Sequence, residues 1–164
     1  MTSSTEGAVT GVRYKGSMGA TDYRLGRFVL EQNEPSFGHD TYDHALQQLR
    51  DGRKHTHWMW YVFPQLEFGS TATSKKFSLS GLDEARAYLA HPTLRDRLHQ
   101  CTDAVLASEA PSATALVGHD AAKLRSSMTL FLRAEPEDPR YQAVLDKYFD
   151  GKPDAATDER LGLA

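Results

Sequence analysis

The stretch TLRDRLHQCTDAVLASE, residues 93–109, sets Leu94, Leu98, Cys101 and Val105 at spacings of three and four residues. Those spacings fall on one face of a 3.6-residue turn, so the segment is expected to form a helix with one side covered by other elements. Cys101 then has an ordinary place in a core. The same period recurs along most of the chain. In DYRLGRFVLEQ, Leu25, Phe28 and Val29 share a face behind Asp22 as N-cap. In DTYDHALQQLRDG, Tyr42, Ala45, Leu46 and Leu49 do so between a capping Asp40 and a terminating Gly52. SGLDEARAYLAHP opens with Ser80 and Asp83 at capping-box spacing and stops before Pro92. AAKLRSSMTLFLRAE turns Leu124, Met128, Phe131 and Leu132 inward behind Asp120. Asp138 and Pro139 start another helix, with Tyr141, Val144, Leu145 and Tyr148 on its face and Gly151 beyond its end. A weaker one spans residues 155–161. The expected fold is all-α, a single compact domain of six or seven helices with one short irregular aromatic segment.

That segment is HTHWMWYVFPQLEFG, residues 55–69, which holds both tryptophans. Alternation would suit a strand, but a lone strand has no partner, so a short helix ended by Pro64 is the expectation. The first twenty residues, rich in Ser, Thr and Gly, are expected to be a flexible arm or an added leader, and residues 21–164 the helical domain. The net charge of −3 and pI near 6.1 lack the basic field of a general nucleic-acid binder. One cysteine forms no internal disulfide and suits a reducing compartment. Neither a spanning apolar run nor a secretory signal is present, so a soluble cytoplasmic protein is expected.

The stretch from Gly52 to Leu98, together with KLRSSMTLF at residues 123–131, resembles the uncharacterised domain-of-unknown-function eighteen-ten family. The resemblance is carried by a lysine, His-Trp-Met-Trp, Phe-Pro-Gln and Ser-Ser-Met-Thr-Leu-Phe in that order. It runs from about Leu25 to Leu161. His55 stands outside the family pattern. Some members carry the label calpastatin, a misnomer. The resemblance implies a mainly helical bacterial protein of this size and no established activity.

Several residue groups point towards chemistry. Trp58 and Trp60 are two large indoles two residues apart, each needing a partner for its N–H if buried, and they can form the aromatic wall of a site. Gln65, after Pro64, either caps a turn or reads a polar ligand edge. Ser70 lies in a polar loop before Lys75 and Lys76, an anion cradle without the Walker frame. Lys123, Ser126 and Ser127 form a polar strip that is expected to face the aromatic segment. With Lys54 and His57 these residues make the candidate ligand site, and His57 and Glu67 are the weak candidates for acid or base. The spacing of His55 and His57 can supply two metal ligands, but no third is evident, so neither metal nor cofactor is expected. The favoured function is binding, or hydrolysis, of a small anionic, partly planar metabolite such as a nucleotide or nucleoside derivative. The alternative is a non-catalytic module that uses the same aromatics against a protein partner. Nucleic-acid binding is disfavoured by charge.

Overall fold

A computed structural model describes residues 23–163, and ten α-helical segments are found among them, most of them set by short-range periodicity or a local cap. In order they are α1 (Gly26–Asn33), α2 (Tyr42–Arg50), α3 (Met59–Val62), α4 (Ala72–Lys76), α5 (Leu82–Ala90), α6 (Pro92–Ala107), α7 (Ala113–Val117), α8 (Ala121–Ala134), α9 (Pro139–Tyr148) and α10 (Ala155–Arg160). The chain is therefore all-α among the described residues. Its only extended pairing there is an isolated parallel bridge between Leu66 and Leu79. The aromatic segment forms the short helix α3, as expected, with Phe63 as its C-cap before Pro64. Helices α4 and α7 are additions. Both are five residues long, too short for an apolar stripe, and each starts at a hydroxyl cap: Thr71 accepts from Ser74 N–H, and Ser112 from Ala115 N–H.

Helices α6 and α8 carry the core. Leu94, Leu98, Cys101 and Val105 of α6 are buried, and α6 packs against α2, α5 and α9. Helix α8 packs against α5, α9 and α10 and is buried without a break from Ser126 to Leu132. Aromatic rings join the layers: Phe28 meets Tyr88 edge-on at 5.2 Å, and Phe131 lies between Tyr88 and Tyr141. Arg27 ties α1 to the far side, donating to the Lys76 and Ser78 carbonyls and pairing with the buried Glu84 at 3.0 Å.

Three expected caps are different in the folded chain. Thr41, not Asp40, caps α2, because the Asp40 carboxylate is taken by Thr56 and His44. Glu84, not Asp83, reaches back to the Ser80 N–H, because Arg27 already holds Glu84 at the helix start. Asp120 precedes α8 without capping it, because two lysines claim its carboxylate. Asp138 caps α9 as expected, accepting from Arg140 N–H at 3.0 Å. Asp22 and the N-terminal arm lie outside the described residues.

Candidate functional site

The aromatic segment is positioned by one glutamine of α2. Gln48 Oε1 accepts from the Trp58 indole N–H at 2.8 Å and from the His55 and Thr56 backbone N–H groups at 2.8 and 3.3 Å. Its Nε2 donates to Thr56 Oγ1, which donates in turn to Asp40 Oδ2 at 2.7 Å. Burial pushes the Asp40 carboxyl up, but donation from Thr56, His44 and Thr41 outweighs it and holds the group below the usual carboxylate range. The Asp40 N–H donates to the His57 carbonyl at 3.0 Å, and the Tyr61 hydroxyl closes the junction by donating to the Asp40 carbonyl at 2.6 Å. The chain between α1 and α2 is thereby fastened to the entry of α3, and Gly38 supplies the positive φ of +87° that this connection needs.

Between these segments lies a pocket of about 520 Å³. Trp58, Met59, Trp60 and Tyr61 form its aromatic side, with Lys54 and His57 beside them. The rest of the lining is Phe37, Gly38 and His39 of the α1–α2 connection, Thr71 and Thr73 at the start of α4, and Asp120. The two indoles divide their roles. Trp58 is buried with its N–H satisfied, while Trp60 is half-buried and keeps ring surface open.

Charge is concentrated at one wall. Asp120 pairs with Lys54 at 2.9 Å and with Lys123 at 2.8 Å. Lys54 Nζ lies 5.2 Å from the Trp58 ring centroid, and Lys123 Nζ lies 4.8 Å from that of Trp60. Each ammonium therefore stands between a carboxylate and an indole face, two arrangements that favour a cation. Burial raises the Asp120 carboxyl, but the two lysines outweigh it and hold the group below its ordinary value near 3.8. A carboxylate with a depressed folded pKa contributes stability above its unfolded pKa and loses it as pH falls through the folded value. Asp120, Asp40 and Glu31 all shift downward. In denaturant midpoints measured from pH 7 downward, the half-buried His91 and His99, whose pKa values burial lowers, are expected to bring a first decline below about 6.5, and these carboxylates a further fall below the ordinary carboxylate range, about 4.5 to 3.8. Asp120→Asn should flatten that fall.

His39, also in the lining, has its Nδ1 2.5 Å from Glu31 Oε2. Glu31 is only 3% exposed and accepts further bonds from the Ser36 N–H and hydroxyl. Burial raises its carboxyl, yet His39 and Ser36 pull it below the ordinary value. A buried carboxylate on one imidazole nitrogen fixes the ring's orientation and leaves the other nitrogen available.

Lys54, His57, Trp58 and Trp60 thus meet at one pocket, and Lys123 reaches it through Asp120 and the Trp60 ring. The other sequence candidates do not line it. Gln65 is buried beyond α3, with its carbonyl accepting from Leu79 N–H. Ser70 is exposed, and it is the neighbouring Thr71 and Thr73 that border the pocket. Ser126 donates to Asp154 at 3.1 Å, and the Ser127 hydroxyl is buried without a partner inside α8. Glu67 is exposed, and its carbonyl accepts from Arg160. His39, Glu31 and Asp120 went unread in sequence as parts of a site. Elsewhere, ligand atoms of His99, Glu135 and Asp138 lie within 4.8 Å of one another, but Arg95 and Arg140 already pair with the two carboxylates.

Comparison with known proteins returns a family and one solved structure. A family described as "Protein of unknown function (DUF1810)" matches residues 22–161. The conserved hypothetical protein Rv1873 from Mycobacterium tuberculosis, known from a crystal structure, is 40% identical, with a TM-score of 0.80. The match covers 87% of this chain and 99% of that one. No curated protein matches the chain. No helix among the described residues is long and apolar enough to cross a membrane.

Proposed function

The chain belongs to this DUF1810 family, and we propose that it binds a small anionic, partly planar metabolite, of the nucleotide or nucleoside-derivative class, in the pocket at the aromatic segment. The observation that carries this reading is a concave site lined by Lys54, Trp58 and Trp60, with Lys54 over the Trp58 ring and Lys123, from outside the lining, over that of Trp60. A pocket of this size suits a small metabolite, whose plane can lie on the open Trp60 surface. Its anionic group can draw on Lys54 and Lys123, whose shared partner Asp120 offsets only one of their two charges. The cytoplasmic setting expected from the sequence is consistent with such a ligand.

A second reading, contact with a protein partner, is supported by Phe37. Its side chain is fully exposed at the pocket edge, where an aromatic anchor would be accessible.

Thermal-shift screening against nucleotides, sugar phosphates and divalent cations tests the first reading. A ligand present at about 100 times its Kd adds about 2.7 kcal/mol to the native state, enough to raise Tm by several degrees. The expected hit is an anionic nucleotide-type compound, and its shift should shrink in both Trp60→Ala and Lys123→Ala. A shift unchanged in both variants would place the ligand elsewhere.

A further inference from the structure

We propose that His39, positioned by the buried Glu31, is the general base of a phosphodiester hydrolysis carried out in this pocket, with His57 as the acid for the leaving alcohol. The inference rests on the ligand reading above and adds a reaction to it. It begins from the placement of two imidazoles. His39 and His57 both line the pocket, and the Asp40 N–H bond to the His57 carbonyl holds their backbones side by side.

They are held differently. Nδ1 of His39 faces Glu31, which is fixed by Ser36, while the ring lies 5.5 Å from that of Tyr61. Among the described residues Nε2 of His39 has no hydrogen-bond partner, and it is the nitrogen left to serve the pocket. His57 is exposed at the rim, where solvent can return its proton. A tightly oriented base and a solvent-exchanging acid, with an ammonium nearby, suit transfer at phosphorus, because the reaction needs one proton removed, one supplied, and negative charge stabilised on the phosphoryl oxygens. Lys54 supplies that positive charge from the same lining, and the part of the half-buried Trp60 that lines the pocket receives an aromatic or nucleoside substituent.

The step balances without a redox partner. Water oxygen forms a bond to phosphorus as its proton passes to His39 Nε2. The bond from phosphorus to the leaving oxygen breaks, its electron pair stays on that oxygen, and protonated His57 delivers a proton there. The products are a phosphomonoester and an alcohol, and proton exchange with solvent resets both rings. Glu31 is a positioning residue: it keeps His39 oriented and favours the imidazolium formed in the transition state. The other charged groups facing the pocket are Lys54 and Asp120, with Tyr61 engaged by the Asp40 backbone.

Bis(4-nitrophenyl) phosphate, an anionic aromatic phosphodiester, is the probe, assayed by release of 4-nitrophenolate with the full chain. Binding is followed separately by quenching of tryptophan fluorescence with the product-like 4-nitrophenyl phosphate. Turnover is expected, and His39→Gln should lower kcat by about 100-fold or more while leaving the quenching constant near its original value. Glu31→Gln should lower kcat by about tenfold with KM little changed. The quenching constant for 4-nitrophenyl phosphate should stay near its original value, so that the loss falls on kcat alone. A purely structural role for Glu31 would weaken binding together with turnover. Should Glu31→Gln unfold the chain, diethyl pyrocarbonate on the unaltered protein serves instead: His39 should be acylated and protected by 4-nitrophenyl phosphate. Quenching without turnover would overturn the hydrolytic proposal and leave the ligand reading standing. Absence of both quenching and turnover would overturn the two together.

Discussion

A Trp58→Ala variant is expected to lose about 3–5 kcal/mol of unfolding free energy, the range for removing a large aromatic from a packed core. Trp58 is 1% exposed, packs 6.4 Å from the Phe63 ring and donates its indole N–H to Gln48. The hydrogen bond accounts for the smaller part, about 1 kcal/mol, since Gln48 Oε1 keeps two backbone donors after the change. Most of the loss comes from the cavity. Trp58→Phe separates the two contributions: it retains much of the packing, removes the donor, and should cost about 1–2 kcal/mol. Urea unfolding followed by circular dichroism gives both numbers. A loss below about 1 kcal/mol for the alanine variant would mean that the indole is not an anchor of this segment. The same variant also removes the ring beneath Lys54, so any ligand-induced rise in Tm should fall with it.

Most helices legible in the sequence are long enough to repeat an apolar position, while the four-residue α3 was legible from the aromatic run that stops at Pro64. Helix α6 spans sixteen residues and shows its stripe through Leu94, Leu98, Cys101 and Val105. Helices α4 and α7 span five residues each, one turn and a fraction, so no period is available to read. The caps were less legible, because capping is a local rule that tertiary charge overrides. Asp40, Asp83 and Asp120 all stand where a helix start favours an acid. Yet Thr56 and His44 take Asp40, Arg27 selects Glu84 over Asp83, and Lys54 reaches Asp120 from more than sixty residues away.

The candidate site divides along the same line. The aromatic segment, Lys54 and His57 are contiguous, and their density of large side chains marks them in sequence. Lys123 is far away in the chain, and its link to the segment, through Asp120 and the Trp60 ring, is a property of folding alone. Ser126 and Ser127 neighbour Lys123 in sequence but are one turn further along α8, where Asp154 and the core claim that face. His39 had no local signal. Its partner Glu31 sits eight residues earlier, on a helix rather than in the loop, and only the fold around Ser36 brings the two into contact.

Asp120→Asn should move stability and anion affinity in opposite directions, which a residue with only a structural role would not do. The side chain keeps its shape and loses the charge that holds two lysines. Lys54, Asp120 and Lys123 are 10%, 18% and 27% exposed, so these pairs fall between surface bridges and fully buried ones. A loss of about 1–3 kcal/mol is the expected cost. At the pocket wall the same change adds one unit of positive charge and frees both ammonium groups for a bound anion. At an effective dielectric constant of about 20, and after screening by salt, that gain amounts to about tenfold in Kd, or about 1.4 kcal/mol. Calorimetric titration with a nucleoside monophosphate measures it, and the gain should shrink as ionic strength rises. Lys54→Ala supplies the contrast, because it also breaks the pair but removes a cation, so stability and affinity should both fall. If Asp120→Asn binds no better than the original chain, the lysine pair serves the fold and the anion is held by other groups. If it binds more tightly while unfolding more easily, Asp120 acts as an internal competitor that the ligand's anionic group displaces.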